Sequence, residues 1–225
     1  MRKIFLTIST LLTINCFGQQ WADYKIDNNL TIYIPDKFTV MDTMAQHIIR
    51  AQIDNALIMI QRIPNKGEGA TNIQDKEELM KTYSGFQDGI IESQKGKLKS
   101  QEWIEKDSLL LNQFSYYAKM GDENQIRHCL ALFLNEHWYA IQFWEVKSMT
   151  NEMTNLRETL FSSIKVPPRQ SLKNQMSYSV EGSRGYNIGF LIGKTVGYIL
   201  MLGILVLLIR WISRKATRKS ANAQQ

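Results

Sequence analysis

Alternating apolar and polar residues predict a domain that starts with β-strands. Residues 30–34 place Leu30, Ile32 and Ile34 on one side and end at a Pro-Asp turn. Six further strands are predicted, at residues 46–53, 56–63, 97–105, 109–118, 125–134 and 138–146. A Gly-Asp turn at 121–122 and an Asn-Glu turn at 135–136 favour antiparallel hairpins among the last strands.

Two helices are predicted to cover this sheet. The first spans residues 72–94, with Thr71 or Asn72 as its N-cap, and the second spans residues 149–164. The first helix carries an apolar stripe of Leu79, Tyr83, Phe86 and Ile90. If Leu134 pairs with His137 in the last hairpin, His128 faces Phe143 and both strand faces are largely apolar. Both faces then need a cover. The predicted fold class is therefore α+β, an antiparallel sheet with helices on both faces, or an α/β/α sandwich.

The first residues of the chain have the layout of a secretory signal peptide. Arg2 and Lys3 precede an apolar run at residues 4–16, and the chain becomes polar at Gln19. As a helix this run would be about 20 Å long, too short to span about 30 Å of hydrocarbon. A signal peptide is predicted at residues 1–18. The alternative is a lipidated Cys16, but the usual leucine and small residue before the cysteine are missing.

A second apolar run near the C-terminus predicts a transmembrane helix at residues 188–209. Residues 189–209 would be about 32 Å long as a helix, which matches a bilayer core. Its one charged residue, Lys194, lies in the second turn, where the long side chain can reach the interface. The alternative, a buried core helix, needs more surrounding protein than the polar flanking segments supply. By the positive-inside rule, a basic cluster after the run should remain in the cytoplasm: Arg210, Arg214, Lys215, Arg218 and Lys219.

These segments predict a single-pass protein of the bacterial inner (plasma) membrane. Its extracytoplasmic domain spans residues 19–168 and lies in the periplasm or outside the cell. A polar linker, residues 169–187, follows a Pro-Pro pair and is predicted to be flexible, with a mean reach of roughly 25 Å. The basic tail, residues 210–225, is predicted to be cytoplasmic.

Glycines recur every four residues at the start of the predicted transmembrane helix. They are Gly185, Gly189, Gly193 and Gly197. A helix face without side chains lets another backbone approach closely, which predicts packing against a second copy or a membrane partner. A flexible helix start is an equally good interpretation, because glycine is common in transmembrane helices.

The net charge of +6 does not point to nucleic acid, because of where the charge lies. Within residues 19–168, 16 basic residues stand against 20 acidic ones, giving the domain a net charge of −4. A phosphate backbone would repel such a surface on average. The basic residues outside the domain flank the two apolar runs, so the membrane is the predicted partner.

No sequence motif for catalysis, a cofactor or a metal is found. HExxH, paired CxxC, Walker, GxGxxG and GxSxG patterns are absent from the sequence. The histidines His47, His128 and His137 are scattered, and Ser115 or Ser163 could meet one of them only through folding. The chain is therefore predicted not to be an enzyme and to hold neither metal nor cofactor. Its lone domain cysteine, at position 129, is predicted to be a packed thiol.

Two further groups have an ordinary and a functional interpretation. Lys95, Lys97 and Lys99 form either a solvated turn or a patch for anionic headgroups. The tryptophans at positions 103, 138 and 144 could line a pocket, but aromatic strand residues usually belong to the core.

The two ends of the domain resemble a known superfamily. The opening LTIYIPDKF, residues 30–38, and the closing LFSSIKV, residues 160–166, resemble the ends of PsbP-like domains. The resemblance spans about residues 22–166 and implies an α/β/α sandwich around an antiparallel sheet. Members of this superfamily mostly act as binding or assembly modules, and the resemblance implies no particular functional residues.

We therefore expect a membrane-tethered, non-catalytic protein-interaction or assembly module outside the cytoplasm. Its expected partner is another envelope protein, bound at an exposed sheet edge or loops, or a second copy bound through the transmembrane helix. The alternative is a receptor for a small or lipidic ligand held between sheet and helix; a deep apolar pocket there would favour it.

Overall fold

The computed structural model describes residues 20–43, 46–53, 55–66, 70–178, 183–185 and 187–198. The predicted signal peptide, the later part of the predicted transmembrane helix from residue 199, and the basic tail with Arg210, Arg214, Lys215, Arg218 and Lys219 lie outside these residues.

The described strands and helices follow the predicted order, with additions near both ends and the short β6 between β5 and α1. The strands are β1 Trp21–Lys25, β2 Thr31–Pro35, β3 Phe38–Asp42, β4 His47–Ile53, β5 Ala56–Pro64, β6 Thr71–Asn72, β7 Lys97–Lys106, β8 Leu109–Met120, β9 Glu123–Leu134, β10 His137–Val146 and β11 Ser183–Arg184. The helices are α1 Lys76–Ser93, α2 Thr150–Ser162 and α3, residues 187–198, with short 3-10 turns at Lys147–Met149 and Leu172–Gln175.

Seven strands form one antiparallel sheet in the order β3-β4-β5-β10-β9-β8-β7. The predicted register of the last hairpin is confirmed, because His137 pairs with Leu134 and His128 faces Phe143. The β9–β10 turn is made by Asn135 and Glu136, both with positive φ. β7 and β3 are the two edge strands of this sheet.

Helices cover both faces of the sheet, as the apolar hairpin faces predicted. On one face α1 packs Leu79, Tyr83, Phe86 and Ile90 against the sheet, and all four side chains are buried. On the other face α2 and the β1–β2 hairpin cover a second cluster of buried residues, which includes Leu160. The α+β class with helices on both faces is confirmed.

The start of α1 differs from the prediction. The N-cap is Asp75, whose carboxylate accepts a hydrogen bond of 2.8 Å from the Glu78 N–H. Thr71 and Asn72 instead form β6, which pairs in parallel with β11. Thr71 is not free to cap a helix, because its N–H and hydroxyl both donate to the side chain of Asn65.

The prediction of a flexible linker after residue 168 is wrong for residues 169–178. Leu172–Gln175 forms a 3-10 turn, and Gln175 and Ser177 are buried in the domain. Ser177 also exchanges two backbone hydrogen bonds with Ile73, of 2.8 and 2.9 Å. These contacts make residues 169–178 an integral part of the domain.

Helix α3 covers the first part of the predicted transmembrane helix and lies on the outer side of α1. Val196 is fully buried, while Leu191 and Tyr198 are exposed. Across the described ranges, the structure contains no helix with the length and apolar character that a membrane crossing requires.

Candidate functional site

A cleft of about 410 Å³ lies between α2 and the end of the sheet that carries β7. Its floor comes from β7, β8 and β9 and is mostly apolar, with Gln113 as a polar member, and α2 with the residues after it forms its wall. The lining residues are Ile104, Lys106, Leu111, Gln113, Leu130, Arg157, Glu158, Phe161, Ser162 and Ile164. Glu158 and Ser162 are exposed, so the cleft is an open trough rather than a closed cavity.

The cleft follows the more regular half of an edge strand. β7 pairs with β8 on one side and has no described strand on the other. A register irregularity between Leu98 and Ser100 interrupts its first half, and such bulges discourage strand addition. From residue 101 to residue 106 the pairing is regular, and Ile104 and Lys106 of this stretch line the cleft. An unpaired, regular strand edge therefore borders an apolar trough.

Lys106 fixes the distance between this edge strand and α2. Its ammonium donates to the carbonyl oxygens of Ser162, at 3.2 Å, and Ile164, at 2.7 Å. These carbonyls lie at the C-terminal end of α2, where a cation is favoured by the helix dipole. The contact ties the edge strand to the end of α2 at one side of the trough.

A buried charge cluster closes one end of the cleft. The Glu145 carboxylate is fully buried and lies 3.0 and 3.1 Å from Arg157 Nη1 and 3.1 Å from His128 Nε2. Burial alone would raise the pKa of Glu145, but the hydrogen bond and charge of His128 and the charge of Arg157 hold it below its usual value. Burial lowers the pKa of His128, and Arg157 adds to that effect. The cluster anchors α2 to β9 and β10 and positions Arg157 at the rim.

The geometry does not assemble a hydroxyl nucleophile with a histidine in the described part of the chain. Ser115 lies directly across from His128 in the β8–β9 register. However, its hydroxyl shares a 2.7 Å hydrogen bond with Ser100, and His128 Nε2 is taken by Glu145. The Ser163 hydroxyl donates to the Leu160 carbonyl.

The other histidines have local partners. His47 Nδ1 lies 2.6 Å from Asp42, and His137 Nδ1 lies 2.8 Å from the Asn135 carbonyl. Among the residues that the structure describes, no group of three or more His, Cys, Asp or Glu side chains could hold a metal ion. Cys129 is a buried free thiol whose pKa is raised by burial.

A buried cation, Arg127, lies on the opposite face of the sheet. Its guanidinium stacks 3.8 Å from the Trp144 ring centre and donates to the side-chain oxygen of Gln125, at 3.0 and 2.9 Å, and to that of Gln94. Burial lowers its pKa. Trp144 and Trp138 are both buried, as expected for core residues.

Three of the four glycines predicted to pack a membrane helix lie beside α1 of the same chain. Helix α3 contacts the backbone or side chains of α1 at Gly189, Gly193 and Gly197. Gly185 precedes the helix, has a positive φ, and has no neighbouring atom within 4 Å of where its Cβ would lie. Whether they also pack a helix within a membrane stays a prediction. Lys95, Lys97 and Lys99 are exposed.

Glu145 and His128 form the part of the site that sequence reasoning missed. The alternation that places Tyr139, Ile141 and Phe143 on one face also places Glu145 there, and the predicted register puts His128 on the same face. The available signal is that Glu145 continues an apolar strand face. A carboxylate buried on such a face needs a charged or hydrogen-bonding partner.

Comparison with known proteins yields distant structural likenesses. No protein-family model and no curated protein matches the chain. A solution structure of cyanobacterial PsbP from Synechocystis sp. is similar with 11% identity and a TM-score of 0.49, covering 68% of this chain and 96% of that one. LpqN, involved in cell envelope biogenesis of Mycobacterium tuberculosis, shares 9% identity with a TM-score of 0.42, covering 66% and 91%. The Saccharomyces cerevisiae Ran-binding protein Mog1p shares 8% identity with a TM-score of 0.42, covering 71% and 100%. With TM-scores below 0.5, these likenesses carry no argument about what this chain binds, and membership of the PsbP-like superfamily stays a prediction.

Proposed function

We propose that this protein is a membrane-tethered, non-catalytic binding module that takes up an extended segment of another envelope protein along β7. The observation that carries the proposal is the apolar cleft of about 410 Å³ beside the unpaired, regular half of this edge strand. The segment would add a strand to the sheet, and its alternate side chains would enter the cleft.

Strand addition supplies affinity and specificity from different parts of the site. Unpaired main-chain groups of an edge strand provide hydrogen bonds that depend little on sequence, whereas a neighbouring pocket selects alternate side chains. Here Ile104, Leu111 and Leu130 would contact those side chains from below, and Phe161 would contact them from the side. We therefore expect a preference for apolar residues at every second position of the bound segment.

The charges at the rim favour an uncharged side chain in the cleft. Lys106 already donates to two carbonyls, and Arg157 is paired with the buried Glu145 carboxylate. Glu158 adds a negative charge nearby. Neither cation is free to neutralise an incoming anion without losing its own partner.

A receptor for a lipidic ligand is the second candidate function. The cleft volume falls within the ~300–1,000 Å³ typical of small-molecule sites, and an acyl chain could lie on the same apolar floor. The open side of the trough favours a polypeptide, since a lipid tail would remain partly exposed to water. Direct competition between a bound peptide and fatty acid distinguishes the two ligands.

The membrane tether and the extracytoplasmic location form the other part of the proposal. They are supported by the signal-peptide pattern at residues 1–18, the apolar run at residues 189–209 and the basic residues after it. Protease added to intact spheroplasts should degrade the domain and spare the tail. Protection of the domain would place it in another compartment.

Peptide selection on the purified full-length chain in mild detergent tests the binding site. We expect a random 12-residue display library to yield peptides with alternating apolar residues. Ser162→Trp fills the cleft from an exposed position and should weaken those peptides at least about tenfold. Thr159→Trp, exposed on the same helix but outside the cleft, is the matched control and should leave affinity unchanged. Equal affinity for both variants, or a library without enriched peptides, would contradict the proposal.

A further inference from the structure

We propose that α3 has two mutually exclusive binding partners, a groove on α1 of its own domain and the lipid bilayer, so that docking on the domain and crossing the membrane compete for the same residues. The inference rests on the membrane tether of the proposed function and deepens it.

The first observation is how closely the two helices approach. A Cβ added at Gly189 would lie 2.0 Å from the Thr82 carbonyl oxygen, and one added at Gly193 would lie 2.0 Å from that of Phe86. From the other side, a Cβ at Gly89 would lie 2.0 Å from the carbonyl oxygen of Phe190. Only glycine fits at these contacts, because each added carbon would overlap backbone atoms. The glycines that suit a helix pair in lipid thus fit a groove on this domain.

Polar contacts at the end of α3 add to the fit. Lys194, the one charged residue in the predicted membrane segment, lies 2.9 Å from Glu92 of α1. The side-chain amide of Gln94 donates to the Gly197 carbonyl at 2.5 Å. Docking therefore gives the lysine a partner that the bilayer core lacks.

The length of the apolar segment makes the two states exclusive. Docked α3 takes up residues 187–198 and leaves 11 apolar residues, 199–209, before the basic cluster. As a helix these residues would reach only about 16 Å, whereas the hydrocarbon core is about 30 Å thick. A crossing needs about 20 residues, so it must recruit most of α3 and remove it from α1.

A reversible crosslink between the helices tests this competition. In a Ser93→Cys/Gly197→Cys variant the two Cβ atoms would start at 2.6 Å and need to separate by about 1 Å for a disulfide. Of the two native cysteines, Cys129 is buried, and Cys16 in the predicted signal peptide is replaced by serine so that it cannot form a disulfide. The full-length variant is oxidised in detergent and transferred to phosphatidylcholine–phosphatidylglycerol vesicles. Carbonate-resistant insertion is then measured with and without reductant.

We expect the oxidised protein to insert at least tenfold less than the same protein after reduction. Gly193→Leu, added to the cysteine pair, should block the disulfide because the leucine displaces α3 from the groove. If the oxidised and the reduced protein both insert, and to the same extent, the inference is overturned and the tether remains. Failure of the disulfide to form, or a disulfide-linked dimer, would also overturn it, since α3 would not occupy the groove of its own chain. If neither form inserts, the membrane tether itself is wrong and the inference falls with it.

Discussion

Replacing Gln175 by alanine should destabilise the domain strongly, although this residue lies in a segment that the sequence marks as a linker. The Gln175 side chain reaches between β8 and β9 at the point where their pairing stops, after Asn112 and Ala131. Its oxygen accepts from the Leu110 N–H at 2.8 Å, and its amide donates to the carbonyls of Leu110, at 2.8 Å, and Phe133, at 3.0 Å. The side chain thus substitutes for main-chain partners in the sheet.

The expected loss follows from the groups that would remain without a partner. The Leu110 carbonyl would keep a 3.0 Å bond from the Tyr83 hydroxyl, and the Phe133 N–H would keep its 2.7 Å bond to the same hydroxyl. The Leu110 N–H and the Phe133 carbonyl would lose the bonds that Gln175 provides. At about 1–3 kcal/mol for each buried unsatisfied group, and with some rehydration of the space left, we expect a loss of about 2–4 kcal/mol.

Urea denaturation of the purified protein measures this loss. Lys173→Ala is the matched control, because Lys173 lies in the same 3-10 turn but is exposed, and it should change stability by less than about 0.5 kcal/mol. If Gln175→Ala costs no more than that control, residues 169–178 are not seated on the domain in solution, and the account of this segment is wrong.

Three further predictions concern the buried charges. Glu145→Ala should cost about 3–5 kcal/mol in urea denaturation, because it leaves the largely but not fully buried Arg157 and His128 without their carboxylate, whereas the exposed Glu158→Ala should cost under about 0.5 kcal/mol. Since burial lowers the pKa of His128, the unfolded chain takes up its proton first, so stability should be complete above about pH 6.5 and fall as the pH drops below it. A wild-type protein and a His128→Gln variant with the same stability slope between pH 7 and pH 5 would contradict that assignment. Arg127→Lys should cost about 1–3 kcal/mol, because an ammonium cannot make the forked bonds and the stacking of the guanidinium; an unchanged urea midpoint would refute this.

Alternation along the chain predicted the central strands because those strands are buried on at least one face. β9 and β10 carry apolar residues on both faces, and their short turn fixed the register. The pattern does not predict β1 and β3, because most of their residues are exposed. β3 is an edge strand with four exposed residues out of five, so it has little alternation to detect.

The role of the C-terminal segment could not be read from local pattern. A glutamine that completes a sheet looks like any other glutamine in a polar stretch, because its partners are more than 40 residues away in sequence. The spacing of the glycines indicates a close backbone contact but does not identify the partner, because α1 and a membrane helix offer the same kind of contact.

The candidate site was predictable only in its strands. Register reasoning could place His128 and Glu145 on one face, and the edge position of β7 agrees with the expectation of an exposed sheet edge. The cleft itself depends on how α2 lies across the sheet and on the contact of Lys106 with the end of that helix. Sequence periodicity does not specify the angle at which a helix crosses a sheet.

Amide hydrogen exchange of the full-length protein with a selected peptide tests the central claim most directly. If the peptide adds a strand beside the cleft, those amides within residues 101–106 that point away from β8 should exchange at least about tenfold more slowly in the complex. Amides of β3, the opposite edge strand Phe38–Asp42, should exchange at an unchanged rate. Protection of β3, or a complex in which β7 exchanges as fast as in the free protein, would contradict the account.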